Sequence, residues 1–176
     1  VEFEALYGRL YPALLRYVYR LTGRRDVAED VAQEAFVRLW AHPLTDEAEA
    51  KRWLFTVALN LVRDGERRRR RQDRLRLRWA PRVDPPDEEV ERGETVAHVQ
   101  RALAQLAPRE RAMLLMREEG FGYEEIAAAV GVAPGSVGPL LARAVRRFRE
   151  AYRRGVGAPP QADEDDAGRR ADQAPG

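Results

Sequence analysis

Tyr123-Glu124-Glu125-Ile126-Ala127-Ala128-Ala129-Val130-Gly131-Val132 is the stretch on which the reading of this 176-residue chain turns. It has a small-residue interior, a glycine turn and apolar residues on both sides of that turn, the pattern of a helix-turn-helix. Ala127 stands where two helices must approach closely, and Gly131 accepts a left-handed backbone that other residues resist. Ile126, Val130 and Val132 are expected to fill the core under the turn, joined by Val137 and Leu141 from the next helix. An αα-hairpin that touches no DNA shares this pattern. Arg143, Arg146, Arg147 and Arg149 on the following helix favour DNA.

The flanks carry more helical periodicity. Val96, Val99, Leu103 and Leu106 predict one short helix, and Pro108 suits the first turn of another that bears Ala112, Met113, Leu115 and Met116. Gly120-Phe121-Gly122 reads as a turn, and Pro134 to Tyr152 as a longer helix. From Gly155 onward the chain is rich in Gly, Pro, Ala and acids and reads as a disordered tail. At the other end, Phe3, Leu6, Leu10, Leu14, Tyr17, Val18 and Leu21 recur at helical spacing up to Gly23, with Pro12 as the point of a kink. Asp26 is expected to cap a second helix with Glu29 as its capping-box partner. That helix carries Val27, Val31, Ala35, Leu39 and Trp40 and stops at His42-Pro43. A third starts between Asp46 and Glu49, runs through Trp53, Leu54, Val57, Ala58, Leu61 and Val62, and continues into the arginine run 67–71. At that spacing Trp53 reads as core.

The expected fold is therefore all-α: two small helical domains, 1–78 and 96–154, joined by a flexible acidic linker, 79–95, and followed by the tail, 155–176. A hydrophobic content of 44% is enough for two small cores.

Charge is segregated rather than unbalanced. The net charge is only +2, yet Arg63 to Arg78 holds nine arginines against Asp64, Glu66 and Asp73, while Asp84 to Glu94 holds six acids against Arg92. A polyanion-binding face followed by an acidic linker fits this order, and a solvated face fits the arginine run taken alone. Lys51 is the sole lysine among 31 basic residues. Either arginine's bidentate contacts with phosphate and bases or a GC-rich genome accounts for that bias.

Several classes are disfavoured. No cysteine means no disulfide, no thiolate nucleophile and no cysteine-ligated zinc. His42 and His98 are far apart and read as surface or capping residues. With no triad, metal cluster or glycine-rich phosphate loop, no enzyme, cofactor or metal is expected. No apolar run approaches the ~18 residues that would cross a bilayer. The start, Val1-Glu2-Phe3-Glu4, is acidic, lacks a signal-peptide pattern and lacks an initiator Met, which suggests trimming. A cytoplasmic location is expected.

Three segments in order resemble the extracytoplasmic-function sigma factors of bacterial RNA polymerase, across most of residues 3–152. Ala28-Glu29-Asp30 through Trp40 resembles region 2.2. Trp53-Leu54, Val57-Ala58, Asn60, Asp64 and Arg67-Arg68 resemble regions 2.3 and 2.4. Leu103, Leu106 and Pro108-Arg109-Glu110-Arg111, followed by Tyr123-Glu124-Glu125-Ile126-Ala127, resemble region 4.

The resemblance implies roles that periodicity alone does not give. By periodicity the helix from Ala28 to Trp40 has an ordinary solvated face. In the family this region docks on the clamp helices of the polymerase beta-prime subunit, which makes Asp30, Gln33, Glu34, Phe36 and Arg38 candidate docking residues. Regions 2.3 and 2.4 read the −10 element and hold a flipped base, so Asn60 and Asp64 would lie near that pocket, with Arg63, Arg67 and Arg68 on phosphates. Ser136, Arg143, Arg146 and Arg147 would face the −35 element. The implied partners are RNA polymerase core (beta-prime clamp and beta flap), promoter DNA and an anti-sigma factor. Gly138-Pro139-Leu140-Leu141 stands where the family usually has Lys-Ser-Arg-Leu, so −35 recognition is not expected to follow the usual residues. A helix-turn-helix regulator acting without polymerase, and a sigma-like interaction protein that has lost promoter reading, are the alternatives.

Overall fold

The computed structural model describes residues 2–42, 46–75 and 92–157. Among these there are seven α-helices and no strand: α1 (Phe3–Thr22), α2 (Arg25–Trp40), α3 (Glu47–Leu75), α4 (Arg92–Ala104), α5 (Pro108–Glu118), α6 (Tyr123–Val130) and α7 (Pro134–Gly157). The first three form an N-terminal lobe and the last four a C-terminal lobe. Residues 76–91 and 158–176, which hold most of the expected linker and tail, lie outside the described ones. Two edges differ from expectation. α4 already begins at Arg92, and α7 runs on to Gly157.

α1 buries Leu6, Leu10, Leu14, Tyr17, Val18 and Leu21, the stripe its sequence presents. It closes on Gly23 at φ 69°, whose N–H donates to the Tyr19 carbonyl. Pro12 does not end the helix. Its ring faces solvent, and the carbonyl it leaves without a helical donor is that of Gly8, which is also exposed.

In α2 the buried positions are Ala28, Ala32, Ala35, Phe36 and Leu39. Three alanines on the inward face let α2 lie close to α1. The helix starts two residues earlier than expected: Arg24 is its N-cap, without a side-chain cap. Asp26 instead sits in the first turn and accepts from Arg24 at 2.6 Å. α3 has the side-chain cap that α2 lacks, with Asp46 Oδ1 accepting from the Glu49 N–H at 2.7 Å.

The C-terminal lobe is built on the glycine turn. Gly131 at φ 75° donates to the Ala127 carbonyl at 2.9 Å, and Val132 donates to the same oxygen at 3.1 Å. α6 and α7 meet at 90°. Ile126, Ala127, Val130, Val137 and Leu141 are buried beneath the turn.

The two lobes share one hydrophobic core. Phe121, from the turn after α5, is buried with its ring 5.1 Å from that of Phe55 on α3, and Phe55 in turn lies 4.8 Å from Tyr17 on α1. The Lys51 ammonium sits 5.3 Å from the Phe121 ring centroid and donates to the Glu119 carbonyl at 2.6 Å. Arg111 on α5 reaches the Leu21 carbonyl at 2.9 Å, and Gln100 on α4 reaches those of Tyr19 and Arg20 at 3.4 and 3.1 Å. Arg111 also closes its own lobe, donating to the carbonyls of Leu103 at 2.8 Å and Leu106 at 3.2 Å, at and just beyond the end of α4. Tyr17 is fully buried and its hydroxyl has no partner, so burial pushes its pKa far above the ordinary 10.

Replacing Phe121 with Ala should therefore cost both lobes. Loss of a buried aromatic at this contact is expected to lower unfolding free energy by roughly 3–5 kcal/mol. Urea denaturation followed by far-UV circular dichroism measures it. A loss below about 1 kcal/mol would mean that the ring does not bind the lobes together.

Candidate nucleic-acid interface

On α3 the residues expected near melted DNA occupy one face. Asn60, Arg63, Asp64, Arg67 and Arg68 follow at i, i+3, i+4, i+7 and i+8. Asn60, Asp64, Arg67 and Arg68 are exposed. Asp64 lies 3.6 Å from Arg67, an exposed pair worth a few tenths of a kcal/mol that a phosphate would readily replace. Arg63 differs from the others. It is half-buried and its NH1 approaches the Ala129 carbonyl of α6 at 3.5 Å, so the C-terminal lobe already occupies it.

On α7 Ser136, Arg143, Arg146 and Arg147 are all exposed. Arg143 and Arg147 are not free side chains. Both pair with Glu110 of α5, Arg143 Nε at 3.0 Å and Arg147 NH1 at 2.9 Å. Glu110 is 3% exposed, and it is the sole buried charged residue among the described ones. Burial alone would raise its pKa. The Arg147 and Arg143 guanidiniums, with the backbone at Ala107, outweigh that and hold it below the ordinary 4.5. Sequence spacing could not reveal this clamp, because its members lie 33 and 37 residues apart.

Gly138-Pro139 neither breaks α7 nor delays its start. The helix is continuous from Pro134, with Pro139 inside it and its ring in solvent. Gly135 stands four residues back, where a proline ring would meet the carbonyl, and its Cβ position is open space.

On α2 Asp30, Gln33, Glu34 and Arg38 are exposed, and Arg38 donates to Glu34 at 2.8 Å. Phe36 does not belong with them. It is 3% exposed and packs its ring 4.8 Å from Tyr7 and 6.2 Å from Phe3. The apolar residues that α2 presents outward are Val37 and Trp40, 67% and 73% exposed, with Phe3 edge-on to Trp40 at 4.7 Å. The signal for them was in the sequence. Ala28, Ala32 and Ala35 mark the inward face, and Val37 and Trp40 fall off it.

Trp53 is half-buried rather than core. Its ring lies 5.1 Å from His42, and it lines a cleft of about 530 Å³ between the lobes with Arg52, Thr56, Met116, Phe121 and Glu125. No single helix among the described residues is long and apolar enough to cross a membrane.

Comparison with known proteins adds the following. Residues 6–73 match the family model Sigma-70 region 2, and residues 98–148 match Sigma-70, region 4. The ECF RNA polymerase sigma factor SigL of Mycobacterium tuberculosis is 38% identical over 153 residues, covering 83% of this chain and 86% of that protein. The RNA polymerase sigma-E factor of Streptomyces avermitilis is 33% identical, covering 85% and 84%. Among solved structures, the sigma factor RpoE of Bartonella quintana, in complex with the anti-sigma factor NepR, superposes with a TM-score of 0.70. It covers 86% of this chain and 97% of that one at 24% identity, a likeness of fold.

The Glu110 clamp makes stability depend on pH. A carboxylate whose folded pKa is depressed contributes stability that is complete above its ordinary value of 4.5 and is lost as pH falls through the folded value. Glu110→Gln should thus lose less stability than the native chain when pH is lowered from 5 to 3, as thermal melts at each pH will show. Parallel curves for the two proteins would remove Glu110 from this role.

Proposed function

The chain belongs to the extracytoplasmic-function sigma factors of bacterial RNA polymerase, and from that premise we propose how its surfaces divide the work. As an alternative sigma factor it directs core polymerase to particular promoters. The outer face of α2 docks on the beta-prime clamp through Asp30, Gln33, Glu34 and Arg38, with Val37 and Trp40 as the apolar centre of the contact. Central, desolvated aromatics supply most of an interface's energy, and rim charges supply its orientation. The C-terminal lobe rests on the beta flap.

The α3 face holds the −10 element. Arg67 and Arg68 neutralise phosphates, and Asn60 and Asp64 contact an unstacked base of the melted strand. Helix α7 lies in the major groove of the −35 element with Ser136 and Arg146 toward it. Arg143 and Arg147, fixed by Glu110, meet the flanking phosphates. The protein catalyses no covalent step. Strand opening draws on preferential binding of the single-stranded state. It works in the cytoplasm, where polymerase and promoter are.

One observation carries this reading above the others. Asn60, Asp64, Arg67 and Arg68 form a single exposed stripe on α3 of the same chain that presents a helix-turn-helix at α6 and α7. In the free chain, Arg63 and Arg52 hold the C-terminal lobe, Arg52 approaching Glu125 at 3.4 Å. Promoter binding must part the lobes, because the two elements lie tens of ångströms apart along a duplex that rises about 3.4 Å per base pair. An anti-sigma factor is a partner suited to keeping them together.

Transcription reconstituted with core polymerase on a genomic DNA library tests the function. The chain is expected to direct initiation at a discrete promoter set, and binding to core without any initiation would contradict it. Arg67→Ala combined with Arg68→Ala should weaken promoter binding and reduce the slope of log affinity against log salt by about 1.5 to 2. An unchanged slope would remove these arginines from phosphate contact.

A further inference from the structure

Over its first two turns the outward face of α7 is short of hydrogen-bonding groups. Gly135, Ser136, Pro139, Ala142, Arg143 and Arg146 are exposed and follow at helical spacing along one stripe, opposite the buried Val137, Leu141 and Ala144. A recognition helix turns the N-terminal part of such a stripe to the base edges of the major groove. Base reading there depends mostly on Arg, Lys, Asn or Gln forming paired hydrogen bonds. Over its first two turns this stripe offers one side-chain hydrogen-bonding group, the Ser136 hydroxyl. Arg143 follows, but its Nε is already bound to Glu110 at 3.0 Å.

What the stripe does offer is shape and apolar surface. The Pro139 ring and the Ala142 methyl lie side by side, three residues apart, and both face solvent. Gly138 beside them faces α6, where a Cβ would sit 3.6 Å from the Tyr123 ring, in ordinary van der Waals contact. In the major groove the apolar mark of a base pair is the thymine C5 methyl group.

We propose that this chain reads its upstream promoter element through thymine methyl groups seated against Pro139 and Ala142, with Ser136 and Arg146 supplying the polar contacts on either side. The inference rests on the reading of α7 as a duplex-binding helix. The Glu110 clamp belongs to the same design. It holds two guanidiniums against α5 and so leaves the middle of the stripe apolar.

The experiment uses the full chain with core polymerase. Promoters are selected from a library randomised upstream of a −10 element taken from the chain's own run-off promoters. Each thymine of the selected upstream element is then replaced by deoxyuridine, which keeps the pairing face and removes only the methyl. Affinity is expected to fall about three- to fivefold at one or two adjacent positions, the loss of one buried carbon each. Pro139→Ala, which restores a helix N–H and so cannot fail for want of helix, should abolish the deoxyuridine effect at one of those positions and leave the others. A selected element whose deoxyuridine versions all bind equally well overturns the inference while leaving α7 a duplex-binding helix. Failure to select any upstream element overturns that reading, and the inference with it.

Discussion

Lys51 over Phe55 and Phe121 is the contact on which the arrangement of the whole chain depends. Its chemistry recurs across the lobe boundary. The Lys51 ammonium meets the carbonyl at the C-terminal end of α5, Arg111 and Gln100 meet those at the end of α1, and Arg63 meets one at the end of α6. Each time a donor from one lobe satisfies the free carbonyls of a helix in the other, where the helix dipole also favours positive charge. Such an interface is strong enough to hold and easy to release. When the lobes part, the carbonyls and the cations return to water, and only the aromatic patch around Phe121 is left costly to expose.

That balance fits the use of two DNA-reading surfaces in one small chain. The α3 stripe stays open at Asn60 and Arg67, yet its Arg63 is shared with α6. On the proposed reading of α3, DNA and the C-terminal lobe compete for this one guanidinium. On α7 the competition is settled within the lobe, because Glu110 is buried and cannot leave two arginines unpaired without a large desolvation cost. The first surface is adjustable and the second preset.

Much of this was legible in the sequence, and the rest was hidden for physical reasons. Periodicity placed the seven helices of the described residues, and Gly131 marked the turn because a left-handed residue is required there. Phe36 stands among the docking positions of the motif, yet its side chain is buried against Tyr7. A motif gives positions along a helix, and only the inward alanines tell which way each position faces. Asp26 looked like an N-cap, but Arg24 captured its carboxylate instead. Arg111, Lys51 and Glu110 could not be assigned from spacing, since each acts on groups far along the chain. The departure at Gly138-Pro139 was visible as a loss of polar residues. That the helix survives it, with Gly135 four residues back and the ring in solvent, needed the coordinates.

The central claim is that one chain has a closed form, held at Lys51 and Phe121, and an open form on the promoter. The most direct test is the distance between spin labels at Arg70 on α3 and Arg149 on α7, measured by pulsed dipolar spectroscopy in the free protein and in the promoter complex with core polymerase. The account predicts a single narrow distance in the free chain and an increase of tens of ångströms, on the order of the promoter spacing, in the complex. The same narrow distance in both states would contradict it.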